Sequence, residues 1–306
     1  MKVSVIMPVY NGGNILPITI PALLNQTYPR EKLEIIIVND GSTDNTEDVL
    51  NLKKWKDHIT VISHSTNKGR AITRNAGIRL ASGELLIFLD CDIEVKPNFI
   101  SQHVDYHKNK NTVGLTSKIC SSTKKIKNKY YKYIFLSTKR GASQEPKGKP
   151  ISFKYFIIGC TSIKSEALKK SGLLNEKLKA YGEDLDLAYR LWKNYPEGLF
   201  YSEKIHVFMH NVKTLTQARN DCYEYGQKNI PIILKEFPEL YPYVAIDYVE
   251  SKSNAITFKI ILGKILFNYP MTKLVEILLI ITPSPLCNYL IRYLLASSII
   301  LGYKNK

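Results

Sequence analysis

The chain has 306 residues, 44% hydrophobic and 23% charged, enough to bury a large core as one α/β domain or two closely merged halves. A formal net charge of +16 points to an anionic partner: nucleic acid, anionic lipid headgroups or a phosphorylated substrate. Cys91, Cys120, Cys160, Cys222 and Cys287 are scattered and contain no C-x-x-C pair, which speaks against a disulfide framework or a zinc site and for a reducing, cytosol-facing compartment. The first apolar run, Val3–Val9, contains Pro8 and has neither a basic leader nor a cleavage site, so it does not read as a signal peptide.

Val3–Met7 reads as the first strand, and Pro8-Val9-Tyr10-Asn11-Gly12-Gly13 as the loop after it. Ile15–Gln26 reads as a helix interrupted by Pro17 and Pro21. Leu33–Val38 is a second strand ending in the polar cluster Asn39–Asp44, and Asp44 with Glu47 resembles a capping box for a helix over Asn45–Trp55. Ile59–Ser63 is a third strand, and a helix runs from after Arg70 through Leu80. Leu85–Leu89 is a continuous apolar run of the length a fully buried parallel strand requires. Strands alternating with helices predict βαβ units and a mainly parallel sheet.

Farther along, Pro97–Asn109 reads as a helix. Lys118–Lys154 is strongly basic, with Tyr130, Tyr131 and Tyr133 interleaved and Glu145 as its one acid. This segment fits a solvated loop, or a cradle for an anionic acceptor or a membrane surface; no nucleic-acid motif accompanies it. Phe156–Thr161 reads as a short strand, Ser165–Ser171 as a helix, and a further helix opens at Tyr181–Leu187, where Asp186 and Arg190 have the spacing of a helix ion pair. Ile256–Phe267, Leu274–Ile281 and Pro285–Gly302 are apolar but broken by Lys259, Lys264, Lys273 and Arg292. None is a clean bilayer span of about twenty uncharged residues. They fit amphipathic helices at a membrane interface, or helices packed on the rest of the chain.

The chemistry centres on Glu84–Asp92, where the buried strand ends in Asp90 and Asp92. Carboxylates are costly to desolvate unless paired or bound to a cation, and ligand crevices in open α/β sheets lie at the carboxyl ends of the strands. A hard divalent cation such as Mn2+ or Mg2+ would relieve the repulsion of the pair and bridge to substrate phosphates. No G-x-G-x-x-G follows the first strand and no phosphate-binding G-x-x-x-x-G-K-[ST] occurs, which argues against a nicotinamide enzyme or a P-loop NTPase. Glu183 and Asp184 lie in the first turn of their helix, a placement that the helix dipole alone would favour.

Six stretches in order, PVYN (Pro8–Asn11), VNDGSTD (Val38–Asp44), NKGRAITRNAGI (Asn67–Ile78), GELLIFLDCD (Gly83–Asp92), GCTSIKSEALKKSGLLNE (Gly159–Glu176) and GEDLDLAYRL (Gly182–Leu191), resemble the family 2 glycosyltransferases, inverting enzymes of the GT-A fold. The resemblance covers roughly the first two-thirds of the chain and fades after His210. It implies an α/β nucleotide-diphospho-sugar transferase fold with a mainly parallel sheet and flanking helices. The domain would span residues 1–220, with a nucleotide-binding half at 1–95 and an acceptor-binding half at 96–220, and a C-terminal helical region would follow at 221–306.

The resemblance also implies roles. Pro8, Val9 and Tyr10 would line the nucleoside pocket, and Asp40 would accept a hydrogen bond from the base, often uracil. Arg70 or Arg74 would sit near the nucleotide, Asp90 near the ribose and Asp92 on the metal. Asp184 would be the general base with Glu183 beside it. His210 would lie near the metal and diphosphate, with His206 as the nearby competitor. The implied activity is metal-dependent, inverting, hexosyltransferase-type transfer from a UDP-sugar to an acceptor hydroxyl. Its setting would be glycan or cell-surface polysaccharide assembly at the cytosolic membrane face, with a lipid-linked or anionic acceptor. Two rivals stand beside it: a metal-dependent nucleotidyltransferase, which would make diphosphate and not need Asp184, and a non-enzymatic, membrane-associated nucleotide-sugar binder.

Overall fold

The structure, a computed structural model, describes residues 1–109, 111–123, 125, 128–137, 140–179, 181–250, 258–283 and 286–306. The chain opens with β1 (Val3–Val9), α1 (Leu16–Leu24), β2 (Leu33–Asn39), α2 (Thr46–Leu50), β3 (Thr60–Ser63), α3 (Arg70–Leu80) and β4 (Leu85–Leu89). Next come β5 (Ile93–Val95), α4 (Phe99–His107), β6 (Gly114–Ser121), α5 (Lys129–Leu136), β7 (Cys160–Lys164), α6 (Ser165–Ser171), α7 (Glu183–Asn194) and β8 (Leu199–Met209). The remaining helices are α8 (Leu215–Glu224), α9 (Ile230–Glu236), α10 (Phe258–Leu266), α11 (Tyr269–Ile281) and α12 (Cys287–Lys304).

The eight strands among the described residues belong to one sheet, ordered β3-β2-β1-β4-β7-β6-β8-β5. β3, β2, β1 and β4 are parallel; β7 runs antiparallel between β4 and β6, and β5 pairs antiparallel with β8. Strands covered on both faces must be apolar at every position, and all five side chains of β4 are buried. Each such Leu, Ile or Phe contributes about 1.5–3 kcal/mol relative to exposure. Val9 lies beside Asn39 and Ile6 beside Phe88, so β1, β2 and β4 end at one edge, where Tyr10, Asp40 and Asp90 follow them.

The chain contacts separate into two units. The first, residues 1–124, 138–176 and 183–211, holds the sheet; the second, 125–137, 177–182 and 212–306, holds α5 and α8–α12.

Four local expectations are corrected. The helix expected over Asn45–Trp55 is only α2, because the chain turns extended at Leu52 and a 3-10 turn at Lys53–Trp55 then buries Trp55. Glu47 closes no capping box. Its carboxylate accepts from Asn39 Nδ2 at 2.6 Å and Ser63 Oγ at 2.9 Å, while Asp44 accepts from the Thr46 amide at 3.0 Å. The strand expected at Phe156–Thr161 begins only at Cys160. Phe156 and Ile158 are buried from the approaching loop, and the strand that pairs with β4 carries Thr161 and Ser162 inward. Lys118–Lys154 is not a plain solvated loop: β6 and α5 lie in it, and Tyr131 and Tyr133 are buried. Lys124, Lys127 and Lys139 lie outside the described residues. β5 was not anticipated at all, since three residues are too few to show alternation.

Candidate active site

The loops after β1 and β2 brace each other. Asn11 accepts from the Thr43 amide at 2.8 Å and its own amide donates to Ser42 Oγ at 2.9 Å; the Gly12 amide donates to Thr46 Oγ1 at 2.8 Å and that of Gly13 to Asp44 at 3.1 Å. Gly41 has φ +66°, and a Cβ there would meet the Thr66 carbonyl carbon at 2.4 Å. Beneath them Asp40 is buried, accepting the amides of Lys68 at 2.9 Å and Gly69 at 3.0 Å and meeting His64 Nδ1 at 3.0 Å. Of the expected nucleoside-pocket residues, Val9 is buried, Pro8 is half-buried and Tyr10 is exposed.

Arg74, on α3, is 2% exposed and binds at the sheet edge. Its Nη1 reaches Glu183 at 3.0 Å and Asp184 at 3.6 Å; its Nη2 reaches Asp90 at 2.9 Å and donates to the Ile158 carbonyl at 2.8 Å. Burial disfavours its charge, but Asp90, Asp184 and Glu183 outweigh that and raise its pKa. The guanidinium, expected beside the nucleotide, thus joins the end of β4 to the start of α7. Glu183 is buried with it, while Asp184 keeps 27% of its side chain exposed with Oδ1 buried and not hydrogen-bonded among the described residues. Burial, and next the charge of Glu183, raise the affinity of Asp184 for a proton, with Arg74 opposing. Gly159 makes this approach possible: its carbonyl accepts the Asp90 amide at 2.8 Å, and a Cβ on it would lie 2.7 Å from the Asp90 carboxylate.

Asp92 has no ion-pair partner among the described residues. Burial, and next the charge of Asp90, push its carboxyl up from 3.8 to about 6. β5 pairs with the end of β8, Ile93 opposite Met209, and this brings His210 beside it: the His210 amide donates to the Asp92 carbonyl at 3.0 Å. His210 Nε2 meets Glu94 at 2.7 Å, the carboxylate–imidazole pairing that orients a histidine for a metal through its other nitrogen. His206 lies within β8, paired to Lys118.

Asp90, Glu183 and Asp184 are three acids around one buried cation, and Asp92 lies close enough to Asp90 to feel its charge, with Arg70 close enough to act on Asp92 and Asp184. That excess, and the desolvated Asp92, fit a divalent cation. No three candidate ligands form a ready cage among the described residues, as suits a hard ion held by one or two protein groups and substrate phosphate oxygens. The Cys91 thiol between the two aspartates is pushed up to about 12 by burial, and next by the charges of Asp92 and Asp90.

The sequence points to Pro8, Val9, Tyr10, Asp40, Arg70, Arg74, Asp90, Asp92, Glu183, Asp184 and His210, but not to His64 and Glu94. His64 follows β3 as Asp40 follows β2, so its place at a strand's carboxyl end was the available signal. Glu94 had none, because its partner is 116 residues away. Asp186 and Arg190 form the helix ion pair their spacing indicated, Nε to Oδ2 at 2.9 Å.

Residues 4–172 match the family described as Glycosyl transferase family 2. A poly(ribitol-phosphate) beta-glucosyltransferase of Bacillus spizizenii is 42% identical over 94 residues, 30% of this chain and 15% of the relative. The chain spans 15–34% of the length of the first relatives it matches. Among solved structures, S. aureus TarS 1-349 in complex with UDP aligns with TM-score 0.60 at 18% identity, covering 99% of this chain and 89% of that one. Mannosyltransferase PcManGT from Pyrobaculum calidifontis, in complex with GDP-Man and Mn2+, aligns with TM-score 0.63 at 17% identity, covering 100% and 88%. The mixed, mainly parallel sheet with a C-terminal helical region is therefore the GT-A arrangement that the motifs implied.

Proposed function

Because the chain belongs to glycosyl transferase family 2, we propose that it is an inverting glycosyltransferase moving a sugar from a UDP-sugar to an acceptor hydroxyl. The observation that carries this reading is the Arg74 node, which gathers Asp90, Glu183 and Asp184 within 3.6 Å of one guanidinium. An inverting transfer is a single displacement: the acceptor oxygen bonds to the anomeric carbon as the bond to the diphosphate oxygen breaks. Asp184 takes the hydroxyl proton, and its raised proton affinity suits that task. Burial, and next the charge of Glu183 held by Arg74, lend Asp184 this basicity, and Arg74 keeps the two acids from repelling the helix start apart.

Asp40 accepts from the base of the donor, Tyr10 lies flat against that base, and Asp90 meets the ribose. Asp92 and His210 would hold Mn2+ or Mg2+. Such an ion, when bound, neutralises charge developing on the leaving diphosphate. The bound Mn2+ of the Pyrobaculum structure supports that choice, as does the UDP of the TarS structure for the donor. The acceptor we favour is an anionic, cell-surface polymer: the net charge is +16, and the Bacillus relative is named for a poly(ribitol-phosphate).

The test is release of UDP from a panel of UDP-sugars with manganese, magnesium or chelator. One donor should be hydrolysed slowly in a metal-dependent way, and Asp184→Asn should lower that rate by about 10²–10⁴-fold. Formation of diphosphate from a nucleoside triphosphate and a sugar phosphate would replace this reading with a nucleotidyltransferase. Absence of both turnover and metal-dependent UDP binding would overturn it.

A further inference from the structure

In the helical unit α11 is amphipathic the wrong way round for a helix facing water. Its inward side carries Thr272 and Val275, with Glu276 at the border paired to Arg219 of α8. Its outward side carries Leu274, Ile277, Leu278 and Ile281, spaced i, i+3, i+4, i+7, together with Ile280. Ile277, Ile280 and Ile281 are 59%, 76% and 74% exposed. α10 repeats the pattern, with Ile260 and Gly263 inward and Phe258, Ile261 and Ile265 outward.

α11 is also fixed at both ends. Asn268 accepts the Met271 amide at 2.9 Å at its start. At its end Lys129 Nζ donates to the carbonyls of Leu279 and Ile280 at 2.7 Å and of Thr282 at 2.9 Å. The helix's last carbonyls, which a poorly hydrated environment would leave unsatisfied, are thereby supplied by a cation.

We propose that the outward faces of α10 and α11 seat the protein in the interface of an anionic lipid bilayer, with α11 lying parallel to the membrane plane. Charge decides between this occupant and a second copy of the chain. Residues 258–306 contain Lys259, Lys264, Lys273, Arg292, Lys304 and Lys306 against the single acid Glu276; Lys259 also pairs with Asp247 and Lys306 with Glu250, and Lys273 shares Glu276 with Arg219, so the cations still outnumber the acids they meet. Two copies meeting through such faces would set one net positive surface against another, whereas anionic headgroups meet that surface with opposite charge. Exposed Phe258, Tyr269 and Tyr289 add the aromatic groups that settle at headgroup level. At 13 residues α11 is about 20 Å long, too short to cross the hydrocarbon core. No helix among the described residues is long and apolar enough to span a membrane. The proposal does not rest on the transferase reading.

The experiment is sedimentation of the full chain with vesicles of phosphatidylcholine, alone or with phosphatidylglycerol, at low and high salt. The protein should partition onto the mixed vesicles and be released by salt. The pair Ile277→Ser and Ile281→Ser should weaken partition at least about tenfold, and Lys273→Ala about fivefold. These side chains are exposed, so melting temperature should hold; Ile280→Ser alone is the control should the pair perturb folding. No binding to anionic vesicles at low salt overturns the proposal, as does binding that ignores the isoleucine substitutions. A concentration-dependent dimer dissolved by the same pair, without vesicle binding, assigns the face to a second copy and likewise overturns it.

Discussion

In the sheet unit the interior holds Arg74, Glu183, Asp186, His103 and His107, all nearly inaccessible to water, whereas in the helical unit α11 turns Thr272 inward and leaves Ile277, Ile280 and Ile281 outside. Both arrangements carry a free-energy cost for an isolated water-soluble domain, since buried charge must be compensated and exposed apolar surface is left unburied. The difference lies in what offsets the cost. In the sheet unit the buried charge of Arg74 is met by Asp90, Glu183 and Asp184; in the helical unit the apolar side chains Ile277, Ile280 and Ile281 stay exposed. Each region can be broken separately.

The sharpest break is Arg74→Met. It leaves Glu183 buried without its guanidinium, and removing one partner of a buried pair costs about 3–5 kcal/mol. Urea unfolding should show that loss, and adding Glu183→Gln should recover part of it. If Arg74→Met unfolds no earlier than the parent, the node does not hold the end of β4 to α7.

Asp92→Asn should act in the opposite direction on stability. A carboxyl raised from 3.8 to about 6 on folding binds its proton more tightly in the folded state, so stability falls as pH rises from about 4 to about 6 and stays lower above. The substitution should therefore stabilise the metal-free protein by about 1–3 kcal/mol at pH 7.5 and hardly at all at pH 4. Manganese should raise the melting temperature of the parent and leave that of Asp92→Asn unchanged. A parent indifferent to manganese with UDP present would remove Asp92 from the metal.

The smallest effect concerns two imidazoles. His103 meets Ser162 Oγ at 2.7 Å and Ser117 Oγ at 2.8 Å, and His107 meets Ser162 Oγ at 2.8 Å. Burial lowers them from 6.5 to about 3 and about 4. A depressed pKa means stability that is complete above pH 6.5 and lost as pH falls toward 4, because only the unfolded chain takes up the proton. Midpoints of urea unfolding at pH 7, 6 and 5 should fall less for His107→Gln than for the parent, by about 1 kcal/mol across that range. Equal slopes would mean that His107 titrates alike in both states.

The local pattern carried much of this. An unbroken apolar run such as Leu85–Leu89 has one comfortable environment, and acids at its end have few, so β4 with Asp90 and Asp92 was legible from residues alone. α6 has the boundaries expected of it and α3 ends at Leu80 as expected but starts one residue earlier, at Arg70, because apolar residues and flanking glycines act within a few residues. The shortened α2 was not legible, because Glu47 found partners on neighbouring strands in place of its own helix end.

What the sequence by itself determined is the alternation of strands and helices, the carboxylates at strand ends and the absence of a clean membrane span, all consequences of hydrophobic period and local charge. Only the tertiary structure decided that Arg74 would meet three acids, that Glu94 would find His210, and that α11 would face outward with its isoleucines. Those outcomes join residues up to 116 positions apart or depend on which helix face a neighbour covers. Periodicity reports that a helix has an apolar side; packing alone decides whether that side is covered.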